Sequence, residues 1–289
     1  MPDIIPPPGS RPQAVGLPSG PPNASRAADG SPNQVVGIIP LQDTVVYGPV
    51  HSRRFGSSLG INVLPVDRKV CSSNCVYCQH GWTLPTPTGE PLTRAPELLA
   101  DIEAAFRRLI QAGTRVDCIT LAGNGEPTLH PDLLELVVGI KALRDTHFPH
   151  VLVGILSDAT QVTRPRVRQA LTLLDARYLK FDAGDETTWR RINDPLGQTE
   201  FRAMLEALKT LPDIVLQSMF LQGTYDNTDE RHLQAWVEAV GDIRPRAVQV
   251  YTVDRGTAAP GITEVARGTL QAIADRLTVS TGIPTEVFD

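Results

Sequence analysis

Three of the four cysteines in this 289-residue chain, Cys71, Cys75 and Cys78, fall within eight residues, and Cys118 stands alone. Four cysteines are too few to staple a scaffold of this length with disulfides, and such clustering points to metal in a reducing compartment. Spacings of four and three would put all three sulfurs on one face of an ideal helix, as small members of a core stripe. Against that, Ser72, Ser73 and Asn74 favour caps and turns, and Asp67 and Lys69 make the approach polar. A closed zinc site needs a fourth ligand, which His80 could supply, and commonly uses paired C-x-x-C units, of which the chain has one. Three thiolates on one compact loop suit an iron–sulfur cubane with one iron left open. Cys118, inside an apolar run, is expected to be a buried small residue.

A second polar constellation is Gly123-Asn124-Gly125-Glu126, where two glycines allow close backbone approach and a carboxylate follows within one turn. Alone, it also reads as an ordinary turn before a helix starting near Pro131. Ser157, Asp158 and Asp182 end strand-like runs, Gln217 and Tyr251 lie inside later ones, and Tyr77 precedes the last cysteine. Helix caps, core packing and solvated surface are the plainer readings of these residues and of the basic pair Arg53–Arg54.

The elements that position these groups alternate. Strands are expected at 61–66, 116–121, 151–157, 177–182, 214–221 and 247–253, from their branched and aromatic content. Leu98, Leu99, Ile102, Ala105, Phe106 and Leu109 form a helical stripe ending at Gly113, and amphipathic segments near 131–144, 164–174, 199–210, 228–241 and 263–279 fill the other gaps. Strand–helix repetition implies parallel pairing, in an α/β partial barrel or an open doubly wound sheet, with chemistry at the carboxyl ends of the strands.

The pattern C-x-x-x-C-x-aromatic-C directly after a first strand resembles the radical S-adenosylmethionine (SAM) superfamily. The segments His51–Gly60, Gly123–Pro131, Phe181–Asp185 and Gln249–Arg255 resemble the branch of iron–sulfur oxidoreductases that includes wyosine-base-forming enzymes. The resemblance spans 43–289 and implies a partial (β/α)6 barrel holding a 4Fe-4S cluster on Cys71, Cys75 and Cys78. SAM would chelate the open iron and be reductively cleaved to a 5'-deoxyadenosyl radical that abstracts hydrogen from a substrate. The resemblance further implies that Gly123, Asn124, Gly125 and Glu126 receive the SAM amino group and that Tyr77 lies beside adenine. Ser157 would meet the ribose or carboxylate, and Asp182 would serve SAM or substrate; Gln217 and Tyr251 are expected, from their places inside the fifth and sixth strands, to point into the barrel. An electron donor such as a flavodoxin or ferredoxin is the expected partner. A zinc-stabilised binding module and an activase installing a radical on a partner protein are the alternative functions. Wyosine-type relatives carry further N-terminal cysteines for a second cluster; none precedes Cys71, so a tRNA role is not favoured.

Composition sets the outer bounds. With 41% apolar and 20% charged residues the chain can bury a sizeable core, and its net charge of −5 supplies no global basic field for nucleic acid. No run approaches the roughly 18 apolar residues of a membrane span, so a cytoplasmic protein is expected. Residues 1–34 hold nine prolines, four glycines and four serines, a composition that cannot offset ordering entropy, and are expected to form a disordered tail ahead of the barrel domain at 43–289.

Overall fold

Strand β1 (Val46–Ser52) turns back antiparallel onto β2 (Gly56–Ile61), and from there the chain alternates. Helix α1 (Ala95–Gln111) leads to β3 (Cys118–Leu121), α2 (Leu133–His147) to β4 (Leu152–Ser157), and α3 (Pro165–Leu173) to β5 (Ala176–Lys180). Two helices, α4 (Glu186–Asn193) and α5 (Phe201–Lys209), precede β6 (Ile214–Met219). The remainder runs β7 (Gln222–Gly223), α6 (Glu230–Ile243), β8 (Ala247–Tyr251), β9 (Ile262–Thr263), α7 (Arg267–Thr281) and β10 (Thr285–Phe288). This computed structural model describes residues 38–84 and 91–288; the tail expected at 1–34 lies outside them.

The eight-stranded sheet has the order β1-β2-β3-β4-β5-β6-β8-β10 and curls into a partial barrel, every pairing after β1–β2 being parallel; β7 and β9 form a separate antiparallel pair. Parallel neighbours require the helical crossovers that the amphipathic stretches supply. Side chains alternate across the sheet. Leu59, Ile61, Ile119, Leu121, Val153, Ile155, Leu179, Leu216, Val248 and Val250 are fully buried in the core shared with the helices. The opposite, lumenal face mixes polar and small residues with Leu156, Tyr178 and Tyr251. Ser58 bonds Thr120 across β2–β3, and Lys180, Gln217 and Gln249 stand level on β5, β6 and β8.

The first barrel strand is not the expected 61–66 but Gly56–Ile61. The Asn62 amide still donates to the Val45 carbonyl at 2.7 Å, but the chain turns away after it because the Asn62 side chain bonds Leu64 at both the amide (3.3 Å) and the carbonyl (2.9 Å), and Pro65 has no amide to donate. Strands β1 and β10 and helix α4 were not expected. The other five strands and the six expected helices agree to within a few terminal residues.

The tip of the β1–β2 hairpin reaches across the lumen. Phe55 packs its ring 4.5 Å from that of Tyr178 on β5, the Arg54 guanidinium lies 4.7 Å from the Tyr251 ring on β8, and Arg53 pairs with Asp254 at 2.6 Å. Among the described residues no helix is long and apolar enough to cross a membrane.

Candidate active site

The three-cysteine segment is a loop stapled along both sides, not a helix. On one side the Val70 amide donates to the Asn124 carbonyl and the Glu126 amide donates to the Val70 carbonyl, both at 2.9 Å. On the other, Asn74 and Val76 donate to Asp194 and Ile192, and Ser72 accepts from Leu196. Glycine is required at the first staple: Gly125 has φ +137°, and a Cβ there would sit 1.8 Å from the Val70 oxygen. The close approach foreseen at this motif is therefore that of the chain leading into Cys71. Asn124 also serves the architecture, fully buried with its side chain bonded to Gln42 at both amide and carbonyl and to the Pro65 carbonyl.

All three loop cysteines are free and half-buried, while Cys118 is buried in β3 as expected. Burial pushes the Cys71 thiol up, reinforced by Asp158, and pushes Cys75 up to about 12, reinforced by Asp182. Thiols in this setting need a cation before they become thiolates, and soft sulfur ligands suit iron–sulfur centres, so the donor set fits a cluster. Among the described residues, no three His, Cys, Asp or Glu side chains converge closely enough to hold a single metal ion. His80, the fourth ligand considered for zinc, has its Nδ1 3.2 Å from the Ile39 carbonyl oxygen. The zinc alternative gains no support from this geometry.

Glu126 and Ser157 are brought together beside the loop. The Glu126 carboxyl, almost fully buried, accepts from the Ser157 hydroxyl at 2.8 Å, the Asp158 amide at 2.6 Å and the Thr128 amide at 2.9 Å. Burial, with Asp158 nearby, pushes its pKa up to about 8. Asp158 in turn accepts from the hydroxyls of Ser72 and Ser73, each at 2.8 Å, and so ties the two serines between the first cysteines to the end of β4. A cavity of about 520 Å³ opens beside this group, touching Cys71, Ser72, Leu129, Thr160, Gln161 and Arg164.

A second group fills the lumen. Asp182 accepts from the Tyr77 hydroxyl, from Asn193 Nδ2 at 2.7 Å, from the Met219 amide at 2.8 Å and from the Lys180 ammonium at 3.0 Å. Lys180 also donates to the Tyr251 hydroxyl at 2.8 Å and sits over the Tyr77 ring. Burial alone would lower the Lys180 pKa, but Asp182 and Tyr251 outweigh it and hold it above the ordinary lysine value. Burial, then the Asp182 charge, raises Tyr77 well above the usual phenol range. Tyr77, Asp182 and Tyr251 thus form one network. Gln217 borders it on the lumenal face, donating to Gln249 at 2.8 Å.

The sequence reading missed Lys180 and Asn193 as members of this network. A lysine two residues before Asp182, on the same face of a strand, was a signal for the first. Asn193 had none, since it lies on the unforeseen α4.

A partial parallel barrel with three free cysteines on a loop at the carboxyl ends of its strands is an α/β enzyme architecture. The comparisons agree. A model of the radical SAM superfamily matches residues 68–264, and the chain belongs to that superfamily. A UPF0026 protein of Helicobacter pylori is 32% identical over 227 residues, 76% of this chain and 70% of its own length. TYW1 with a lysine–pyruvate adduct bound aligns at a TM-score of 0.57 and 14% identity, covering 78% of this chain and 74% of that one. SuiB of Streptococcus suis bound to S-adenosylmethionine aligns at 0.56 and 13%, covering 80% of this chain and 50% of that one. At these identities the likeness to both solved structures is one of fold, and the resemblance to wyosine-forming enzymes holds at that level.

Proposed function

We propose that this chain is a radical SAM enzyme with one 4Fe-4S cluster on Cys71, Cys75 and Cys78. The observation that carries the reading is the loop itself: three free, half-buried thiols, held rigidly at the strand ends between two separate backbone staples. When bound, the cluster and SAM supply one-electron cleavage of SAM and a 5'-deoxyadenosyl radical that takes hydrogen from a substrate. The chain's own residues bind, orient and exclude water. Val70 and Gly125 fix the entry of the loop, and Ser72 and Ser73 hold its first turn against Asp158. We assign Tyr77, Gly123, Asn124, Gly125, Glu126, Ser157, Asp182, Gln217 and Tyr251 to the surroundings of SAM. Asn124 acts there through the backbone it positions, and Asp182 through Tyr77 and Lys180. A flavodoxin or ferredoxin would deliver the electron.

Anaerobic reconstitution tests the reading. Iron and sulfide in 4Fe-4S proportion, visible absorption, and release of 5'-deoxyadenosine from SAM with a strong reductant are expected. Colourless protein carrying stoichiometric zinc would overturn it.

A further inference from the structure

We infer that Lys69 raises the reduction potential of the centre assigned to Cys71, Cys75 and Cys78, by directing its ammonium at the Cys78 sulfur; the inference rests on that assignment. Lys69 Nζ lies 3.2 Å from Cys78 Sγ and 2.7 Å from the Gly81 carbonyl oxygen. The residue is 7% exposed, so solvent and salt screen its charge weakly. Lysine is almost never buried this far unless paired. Here no carboxylate among the described residues forms an ion pair with it, and its two partners are a cysteine sulfur and a peptide oxygen. The missing counter-charge lies where sulfur ligands would carry it.

The other sulfurs are served differently. Asn193 Nδ2 approaches Cys75 Sγ at 3.6 Å as a neutral donor, and among the described residues no side-chain donor reaches Cys71. Among the described residues only Cys78 has an ammonium at hydrogen-bond distance from its sulfur; Lys180, which acts on Cys75 from farther off, is neutralised by Asp182. Reduction makes the centre one unit more negative. A fixed cation at weakly screened range stabilises the reduced form more than the oxidised one, and an N–H···S bond withdraws charge from the ligand in the same sense. Both effects raise the potential and ease reduction by the donor. Lys69 is thus a positioning residue for electron entry, with no contact to substrate required.

The test is EPR-monitored potentiometry of anaerobically reconstituted wild type, Lys69→Met and Lys69→Gln without SAM. Loss of the charge in Lys69→Met should disfavour reduction at least tenfold in the one-electron equilibrium, a shift of about 59 mV to more negative potential. Lys69→Gln, which keeps an N–H donor without charge, should fall between. A Lys69→Met protein with a full cluster at the wild-type potential overturns the inference. If both variants lose the cluster, wild type labelled with 15N-lysine decides by pulsed EPR of the reduced centre. A lysine nitrogen coupling supports the contact, and its absence overturns it. Wild type that assembles no cluster would instead overturn the cysteine assignment, and the inference with it, so the two failures are told apart.

Discussion

The Tyr77 hydroxyl donates to the Asp182 carboxylate, joining the cysteine loop to the end of β5 across 105 residues of chain. With Asn193, Lys180 and the Met219 amide on the same carboxylate, Asp182 meets four protein donors and is the node on which loop, β5, β6 and α4 converge.

Asp182→Ala should cost about 3–5 kcal/mol of stability, because it strands the Lys180 ammonium in the lumen without its counter-charge. Tyr77→Phe, which removes one donor and leaves the ion pair, should cost about 1–3 kcal/mol. Denaturant unfolding of the two variants beside wild type checks both the order and the gap; equal losses would mean that the ion pair contributes nothing.

Gly125→Ala should destabilise by about 3 kcal/mol or more and free the cysteine loop from its first staple, since its methyl would meet the Val70 oxygen at 1.8 Å on a backbone at φ +137°. Hydrogen exchange should then show the Val70 and Glu126 amides losing protection while the β4–β5 ladder keeps it. Unchanged protection at Val70 would mean that the loop is held from its other side alone.

Stability should fall as pH rises from about 4.5 to about 8, because the folded Glu126 carboxyl, with its pKa pushed up to about 8, holds a proton that the unfolded chain has released. The contribution is complete below that window, is lost through it at no more than about 1.4 kcal/mol per pH unit, and is gone above it. Glu126→Gln should remove this slope. Melting temperatures of both proteins at several values across the window provide the comparison, and parallel curves would rule out Glu126 as its source.

Cys71→Ala, Cys75→Ala and Cys78→Ala should each abolish retention of iron and cleavage of SAM, whereas Cys118→Ala should keep both, since that thiol points at Thr120 within β3. Iron analysis after gel filtration reads this directly. A requirement for Cys118 would replace the open three-thiol centre with a closed four-cysteine one.

What the sequence disclosed follows the range of the forces involved. The cysteine loop was legible because its spacing and its turn-forming Ser72, Ser73 and Asn74 are local, and the parallel barrel because each crossover helix carries its own stripe. Strand β2 was misplaced: Gly56-Ser-Ser-Leu-Gly60 reads as turn chemistry, and only pairing on both sides, to β1 and β3, makes it a strand. Asn193 was missed because its role exists only once the fold brings α4 against Asp182 and Tyr77, and no local pattern carries such a contact; Lys180, two residues before Asp182, had a local signal that was not used. The glycines of Gly123–Glu126 were recognised as sites of close approach, but a sequence does not say which backbone approaches.

The hairpin tip that carries Arg53 to Asp254 also sets an order of events during synthesis. Its partners lie up to 201 residues downstream, and at roughly 5–20 residues per second they leave the ribosome about ten to forty seconds after the tip itself. Tyr178 reaches Phe55 earlier, but until the last partners emerge Arg54 lacks the Tyr251 ring that covers it, and the lumen stands open to solvent on that side. The cysteines emerge early and the last wall of the lumen late, so a nascent chain exposes its thiols before the barrel around them can close.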